Sequence, residues 1–214
     1  MSTPFDIGKG ISENISFMTR VGAECDHLIR LIREELSRLL LDPELVARYR
    51  AAGGWEDADD YDNHDWVCTD RAYSLPMTIR PKRQASRYLA FQLSLTGIGV
   101  EAKDNVEPLL HIAWWSTPID LGDTKMGFPL EPGGYDLTLE AERLFRWSHP
   151  QGDTEWCYSV RLTDINSPLD VQTSIVNPVK ALLLNDQAQA LVGTASVRYV
   201  AVEGEPGQFQ ALPR

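Results

Sequence analysis

Residues 88–96 read Tyr-Leu-Ala-Phe-Gln-Leu-Ser-Leu-Thr. Leu89, Phe91, Leu93 and Leu95 alternate with Tyr88, Ala90, Gln92, Ser94 and Thr96, the period-two pattern of a strand with one face on a core. Downstream, Lys103-Asp104-Asn105 reads as a turn into a second strand over 109–116. Leu109, Leu110, Ile112, Ala113, Trp114 and Trp115 make that strand apolar on both faces, which places it centrally in a sheet. Trp156, Tyr158, Val160 and Leu162 alternate with Cys157, Ser159, Arg161 and Thr163 to give another strand. Further strands are expected over 195–202 and over 66–79, the latter broken near Pro76, whose missing N–H interrupts a ladder.

Helical patterning flanks these strands. Met18, Val21, Cys25, Leu28, Ile29, Ile32, Leu36, Leu39 and Leu40 recur at three- and four-residue steps, predicting an amphipathic helix over 12–41 with Ser12 as N-cap. Thirty helical residues span about 45 Å, more than a small domain is wide, so this element is expected to protrude or to meet a partner. Asp42-Pro43 predicts a second helix over 43–52 that stops at Gly53-Gly54. Ser167-Pro168 and Asn177-Pro178 each read as a cap followed by a helix start, the second helix running to Leu191 and ending at Gly193. The fold class is therefore α+β. It has a mainly antiparallel sheet of about five strands, a long N-terminal amphipathic helix and C-terminal helices. The expected division is a helical arm over 1–54 packed on the same domain, a sheet domain over 55–203 and a mobile tail over 204–214.

Composition sets bounds on function. Twenty Lys and Arg against 31 Asp and Glu give a net charge of −11 over 214 residues, which disfavours a polybasic scaffold for duplex nucleic acid. The first ten residues lack a signal-peptide layout, and no apolar run approaches the ~20 residues of a membrane span. Cys25, Cys68 and Cys157 are three and widely spaced, as expected of reduced thiols, and a cytoplasmic location is expected.

Charge is distributed in blocks. Residues 53–70 hold Glu56, Asp57, Asp59, Asp60, Asp62, Asp65 and Asp70 with no Lys or Arg. Residues 71–90 hold Arg71, Arg80, Lys82, Arg83 and Arg87 with no acid. The acidic block reads as a solvated linker ahead of a recognition surface, and ahead of a metal site built with His64, because its spacing does not fit an EF-hand. For Arg80, Lys82, Arg83, Arg87 and the neighbouring Tyr88, internal pairing with that block competes with binding of a phosphate or a nucleic-acid single strand. Phe91 is assigned to the core face.

Catalytic patterns are sparse. Glu101-Ala102-Lys103 is similar to the E-x-K strand ending of one class of metal-dependent nucleases, with Asp70 as the upstream acid; a surface hairpin tip is the competing reading. Gly97-Ile98-Gly99 lacks the third glycine of a dinucleotide fingerprint, and no phosphate-loop, nucleophile-elbow or HExxH pattern occurs. His27, His64, His111 and His149 are dispersed, and His111 reads as a core histidine. A Cys–His pair, Cys157 or Cys68 with His111 or His149, stays open. Trp114 and Trp115 face opposite ways on one strand: one face is core, and the other is expected to be covered by a helix, with an exposed aromatic patch bordered by the loop over 117–134, with Met126 and Phe128, as the competing reading.

The expectation is a non-enzymatic protein acting by macromolecular contact, as an accessory, regulatory or inhibitor-like component, with no cofactor or metal. Its partner is another protein or a second copy met through the N-terminal helix. One alternative is a metal-dependent hydrolase or nuclease using Asp70, Glu101 and Lys103. The other is a single-strand nucleic-acid binder using Arg80, Lys82, Arg83, Arg87 and Tyr88.

Overall fold

A computed structural model describes residues 4–96, 100–122, 124–126, 136–148, 154–185 and 187–214. Helix α1 runs Pro4–Leu39, eight residues longer at its start than the periodicity from Ser12 predicts. Asp42 then caps α2, Pro43–Val46, its carboxylate accepting from the Glu44 N–H at 3.0 Å. The helix expected to continue to residue 52 stops after this one turn, and Tyr49–Ala51 forms strand β1. Tertiary packing overrides local propensity there. The Tyr49 ring meets Trp114 edge-on at 5.5 Å, its hydroxyl donates to the Leu183 carbonyl, and the β1 backbone pairs with residues 77–79.

The remaining strands are β2 Glu56–Tyr61, β3 Cys68–Ile79, β4 Arg87–Ser94, β5 Glu101–Ala102, β6 Asn105–Val106, β7 Leu109–Trp115, β8 Asp136–Glu140, β9 Leu144–Ser148, β10 Thr154–Arg161, β11 Tyr199–Ala201 and β12 Phe209–Ala211. The large sheet has eight strands rather than five, in the order β1-β3-β4-β7-β10-β9-β8, with β2 also on β3 and every pairing antiparallel. β7 lies centrally, as its two apolar faces require. β3 passes Pro76 without a break. β1 pairs with residues 77–79 and β2 with residues 68–74, so Pro76 lies opposite the gap between the two short outer strands.

Alternation sorts the sheet into two faces. Tyr73, Leu75, Met77, Leu89, Phe91, Leu93, Ile112, Trp114, Trp156 and Tyr158 form one core with Cys25, Ile29, Ile32 and Leu36 of α1. Each large side chain fully buried there contributes about 1.5–3 kcal/mol. The opposite face carries small and polar residues, Ala72, Ser74, Ala90, Gln92, Ser94, Ala113 and Cys157, and Ile119, Leu121 and Met126 lie flush on it.

β11, β12, β5 and β6 make a second, four-stranded sheet. It takes in both the strand expected over 195–202 and the segment expected as a mobile tail. Ala211 is fully buried, and Arg161 donates to the Leu212 carbonyl. The C-terminal helices run as α3 Pro168–Val171, a π-helical turn Gln172–Val176 and α4 Asn177–Asn185. Ser167 caps α3 as expected, whereas Asn177 lies inside a continuous helical run rather than at a start. Pro178 offers no N–H to the turn before it. The Tyr158 hydroxyl lies 3.2 Å from the carbonyls of Ser174 and Ile175, satisfying acceptors there. α4 ends at Asn185, short of the expected Leu191, and Ala188–Leu191 is a separate 3-10 turn before Gly193. Among the described residues no helix is long and apolar enough to cross a membrane.

Candidate interaction surface

The apolar stripe of α1 changes partner along its length. From Cys25 onward, Ile29, Ile32, Leu36 and Leu39 are buried against the sheet. Toward the N-terminus the stripe continues through Ile7, Ile11, Ile15 and Met18, at 56%, 61%, 58% and 40% exposure. Lys9 and Glu13 recur on the opposite side, so no charge interrupts the exposed stripe. Where the helix meets the body, Phe17, Val21 and Leu28, flanked by Arg20, Glu24 and His27, form a groove with Leu162, Ile165 and Pro168. The groove encloses about 640 Å³. One polar residue, Asn14, lies on the stripe between Ile11 and Met18; exposed apolar faces of this extent mark binding surfaces. Ile7 and Ile11 precede a helix that starts at Ser12, and a stripe taken from Met18 onward omits Ile15, although the i, i+4, i+8 spacing of the three extends the same stripe.

The acidic block is a hairpin, not a linker. β2 pairs with β3 from Glu56 opposite Ser74 to Tyr61 opposite Cys68. Asp59 and Asp26 both hold Arg71. Asp62 builds the turn by accepting from the Trp66 and Val67 N–H groups at 2.7 and 3.0 Å; those bonds hold its carboxyl below the usual range. His64 is exposed on the same turn. No cluster of metal-ligating side chains forms among the described residues.

Arg80, Lys82 and Arg83 occupy the exposed β3–β4 loop. The twelve residues of β3 separate them from the acidic turn by about 40 Å. Among the described residues no ion pair joins them to the acids of 53–70, so internal pairing is taken up by Arg71 and by Lys125 instead. Backbone pairing brings Arg48 and Arg50 to the same end: the Arg80 N–H donates to the Arg48 carbonyl, and Arg50 lies opposite Thr78. Arg87 departs from the group. It is buried and donates to the Ser86 carbonyl at 2.7 Å. Tyr88 is half-buried on β4, and Phe91 stacks on Tyr73 in the core.

Asp70 is fully buried on the far face of the sheet. One carboxylate oxygen accepts from Gln92 and Ser94 at 2.9 and 2.6 Å, and the other faces Lys125 Nζ at 3.0 Å. Lys125 also holds Asp60 at 2.9 Å, which draws the Asp60 carboxyl below its usual range. Glu101 and Lys103 belong to the β5–β6 hairpin of the other sheet, with exposed Lys103 and Asp104 at its tip. The Glu101 side chain lies outside the described residues. The geometry therefore gives Asp70 a lysine partner and gives Glu101-Ala102-Lys103 a hairpin turn.

His111, expected as a core histidine, is fully buried, with Nδ1 2.7 Å from Ser159 Oγ. Burial pushes its pKa down to about 4 against a smaller opposing pull from Asp70. Cys157 is buried beside Met126, and burial raises its thiol far above the ordinary range. Burial raises Cys25 and Cys68 as well, and a protonated thiol is a poor nucleophile. Trp114 sits in the main core, and Trp115 meets Trp147 edge-on at 4.8 Å. Gly97 to Gly99, Phe128 and His149 lie outside the described residues.

Comparison with protein-family models, with curated proteins and with solved structures gives no match. Function is therefore argued from the surface itself.

Proposed function

We propose that this chain acts by macromolecular contact through the projecting half of α1 and the groove at its base, as an accessory or regulatory component. The observation that carries this reading is the single stripe on α1, buried from Cys25 to Leu39 and exposed from Ile7 to Met18. A helix of this length with one wet apolar face gains little stability alone and gains most when that face is covered. The experiment compares the native size of the wild-type chain with that of Ile11→Asp and Ile15→Asp, both purified and in a native lysate. A complex present in wild type and lost in both variants, with unfolding temperatures unchanged, supports the reading. A chain that migrates as a monomer in every sample overturns it.

A second reading rests on a separate observation: Arg48, Arg50, Arg80, Lys82 and Arg83 gather at one end of an acidic chain. Such a cluster fits a phosphate-rich ligand or a nucleic-acid single strand. Binding of an oligonucleotide that weakens steeply with salt, and weakens uniformly in Lys82→Ala and Arg83→Ala, supports it. Binding that ignores salt, or none, counts against it.

A further inference from the structure

We infer that the corner pocket between the C-terminal end of α1 and the outer edge of β1 binds a small hydrophobic carboxylate, an acid with a hydrocarbon body. The site goes beyond both readings above: it shares Arg50 and Arg80 with the basic end and needs neither Lys82 nor Arg83.

The pocket encloses about 410 Å³, within the range of small-molecule sites. Its apolar wall is Leu40, Leu41, Val46, Tyr49, Trp55 and Leu75. Both aromatic members are held from behind. Trp55 Nε1 donates to Ser37 Oγ at 3.1 Å, and its ring meets Phe91 edge-on. The Tyr49 hydroxyl donates to the Leu183 carbonyl at 2.9 Å, and its ring meets Trp114 edge-on. The Ala52 N–H donates to the Pro76 carbonyl at 2.8 Å and fixes the turn through Gly53 and Gly54 that completes the lining. The seat is therefore preformed, and a ligand entering it has little to order. Leu41 and Val46 are still 75% and 38% exposed, so the wall has apolar surface left to cover.

Charge defines the other end of the ligand. Arg50 and Arg80 line this pocket, and among the described residues no Asp or Glu joins them. Arg50 lies opposite Thr78, and the Arg80 N–H bonds the Arg48 carbonyl. The two arginines are thus diagonal neighbours across the β1–β3 ladder, roughly 7–8 Å apart and within reach of one carboxylate. Among the described residues neither guanidinium makes an ion pair or a hydrogen bond, whereas Arg48 is committed to the Leu184 carbonyl. The acids of the adjoining turn, Asp42 and Glu44, are taken by Lys180. Free guanidinium groups of this kind recognise planar anions. A neutral hydrocarbon would leave them idle, and an inorganic anion would leave the apolar wall wet; a hydrophobic carboxylate satisfies both.

Titration calorimetry with phenylbutyrate and with its neutral amide tests the inference. The expected Kd for the acid is below about 1 mM, and at least ~10-fold tighter than for the amide. Arg50→Gln and Arg80→Gln each weaken the acid by ~10-fold and leave the amide unchanged. Leu41→Ser weakens both ligands. In nitrogen–proton correlation spectra the indole N–H of Trp55 shifts on titration. That of Trp66, 83% exposed beyond the other end of β2, stays in place. All three substitutions fall on exposed side chains, so unchanged unfolding temperatures confirm that lost binding is not lost folding. No binding of either ligand overturns the inference, as does equal affinity for acid and amide, or acid binding indifferent to both arginine variants. Acid binding weakened as much by Lys82→Ala as by Arg50→Gln also overturns the pocket, and salt-sensitive oligonucleotide binding by the same samples then leaves the basic-end reading standing. Phenylbutyrate binding with the expected variant pattern and no oligonucleotide binding keeps the pocket and removes that reading.

Discussion

Lys125 Nζ lies 3.0 Å from the carboxylate of Asp70 across the covered face of the large sheet, and Asp70 has no exposed surface. Gln92 and Ser94 saturate the other carboxylate oxygen, so the buried charge is compensated by one lysine supplied from a loop. Removing one member of a buried pair strands the other, at about 3–5 kcal/mol. Lys125→Met is expected to destabilise the chain by that order in urea unfolding. Adding Asp70→Asn removes the stranded charge and recovers a large part of the loss. A Lys125→Met variant as stable as wild type would show that the pair carries no weight in holding the loop.

Stability is expected to fall between pH 7.5 and 5 because of His111. Its folded pKa of about 4 lies below the unfolded value near 6.5. The unfolded chain therefore takes up a proton that the folded chain refuses. The contribution is fully present above about pH 6.5 and is lost progressively as pH falls toward 4. Linkage puts the loss at about 2 kcal/mol by pH 5. Urea unfolding followed by tryptophan fluorescence checks this, and a His111→Gln variant should show a flatter profile over the same window.

Tyr158 illustrates how a helix with an internal proline is sustained. Its hydroxyl reaches the Ser174 and Ile175 carbonyls from the central region of the sheet, within the π-helical turn just before Pro178. Tyr158→Phe keeps the ring and removes only this donor, so a cost of about 1–3 kcal/mol is expected, with faster amide exchange over 172–180. Unchanged exchange there would mean that the turn is held without the hydroxyl.

The long, half-buried strands were legible because their side chains alternate: β4, β7 and β10 each announce a core face. The short outer strands were not. β2 is Glu-Asp-Ala-Asp-Asp-Tyr, a poor strand sequence by composition; it is held by backbone pairing to β3 and by the reach of Arg71 to Asp59. β1 was hidden inside a helical signal because its pairing with residues 77–79 is non-local. The stripe of α1 is plain in the sequence from Met18 onward, and Gly8 and Gly10 dilute the pattern before it. Lys125 was invisible as a partner of Asp70, since only the packing of the loop onto small residues brings the two together.

Ile32 and Ile11 occupy one stripe of one helix in opposite environments, fully buried and 61% exposed. Ile32→Ala removes a side chain from the packed core and leaves a cavity, so a loss of about 2–5 kcal/mol is expected. Ile11→Ala, measured at concentrations dilute enough for a monomer, is expected to change stability by no more than about 0.5 kcal/mol, since alanine is the better helix former. At high concentration the two variants should diverge in a second way. On the proposed contact, isoleucine at position 11 is covered in the complex, so the unfolding midpoint of wild type is expected to rise with the concentration of the chain and its partner while that of Ile11→Ala rises less. Equal concentration dependence in the two would show that position 11 stays wet in any assembly the chain forms.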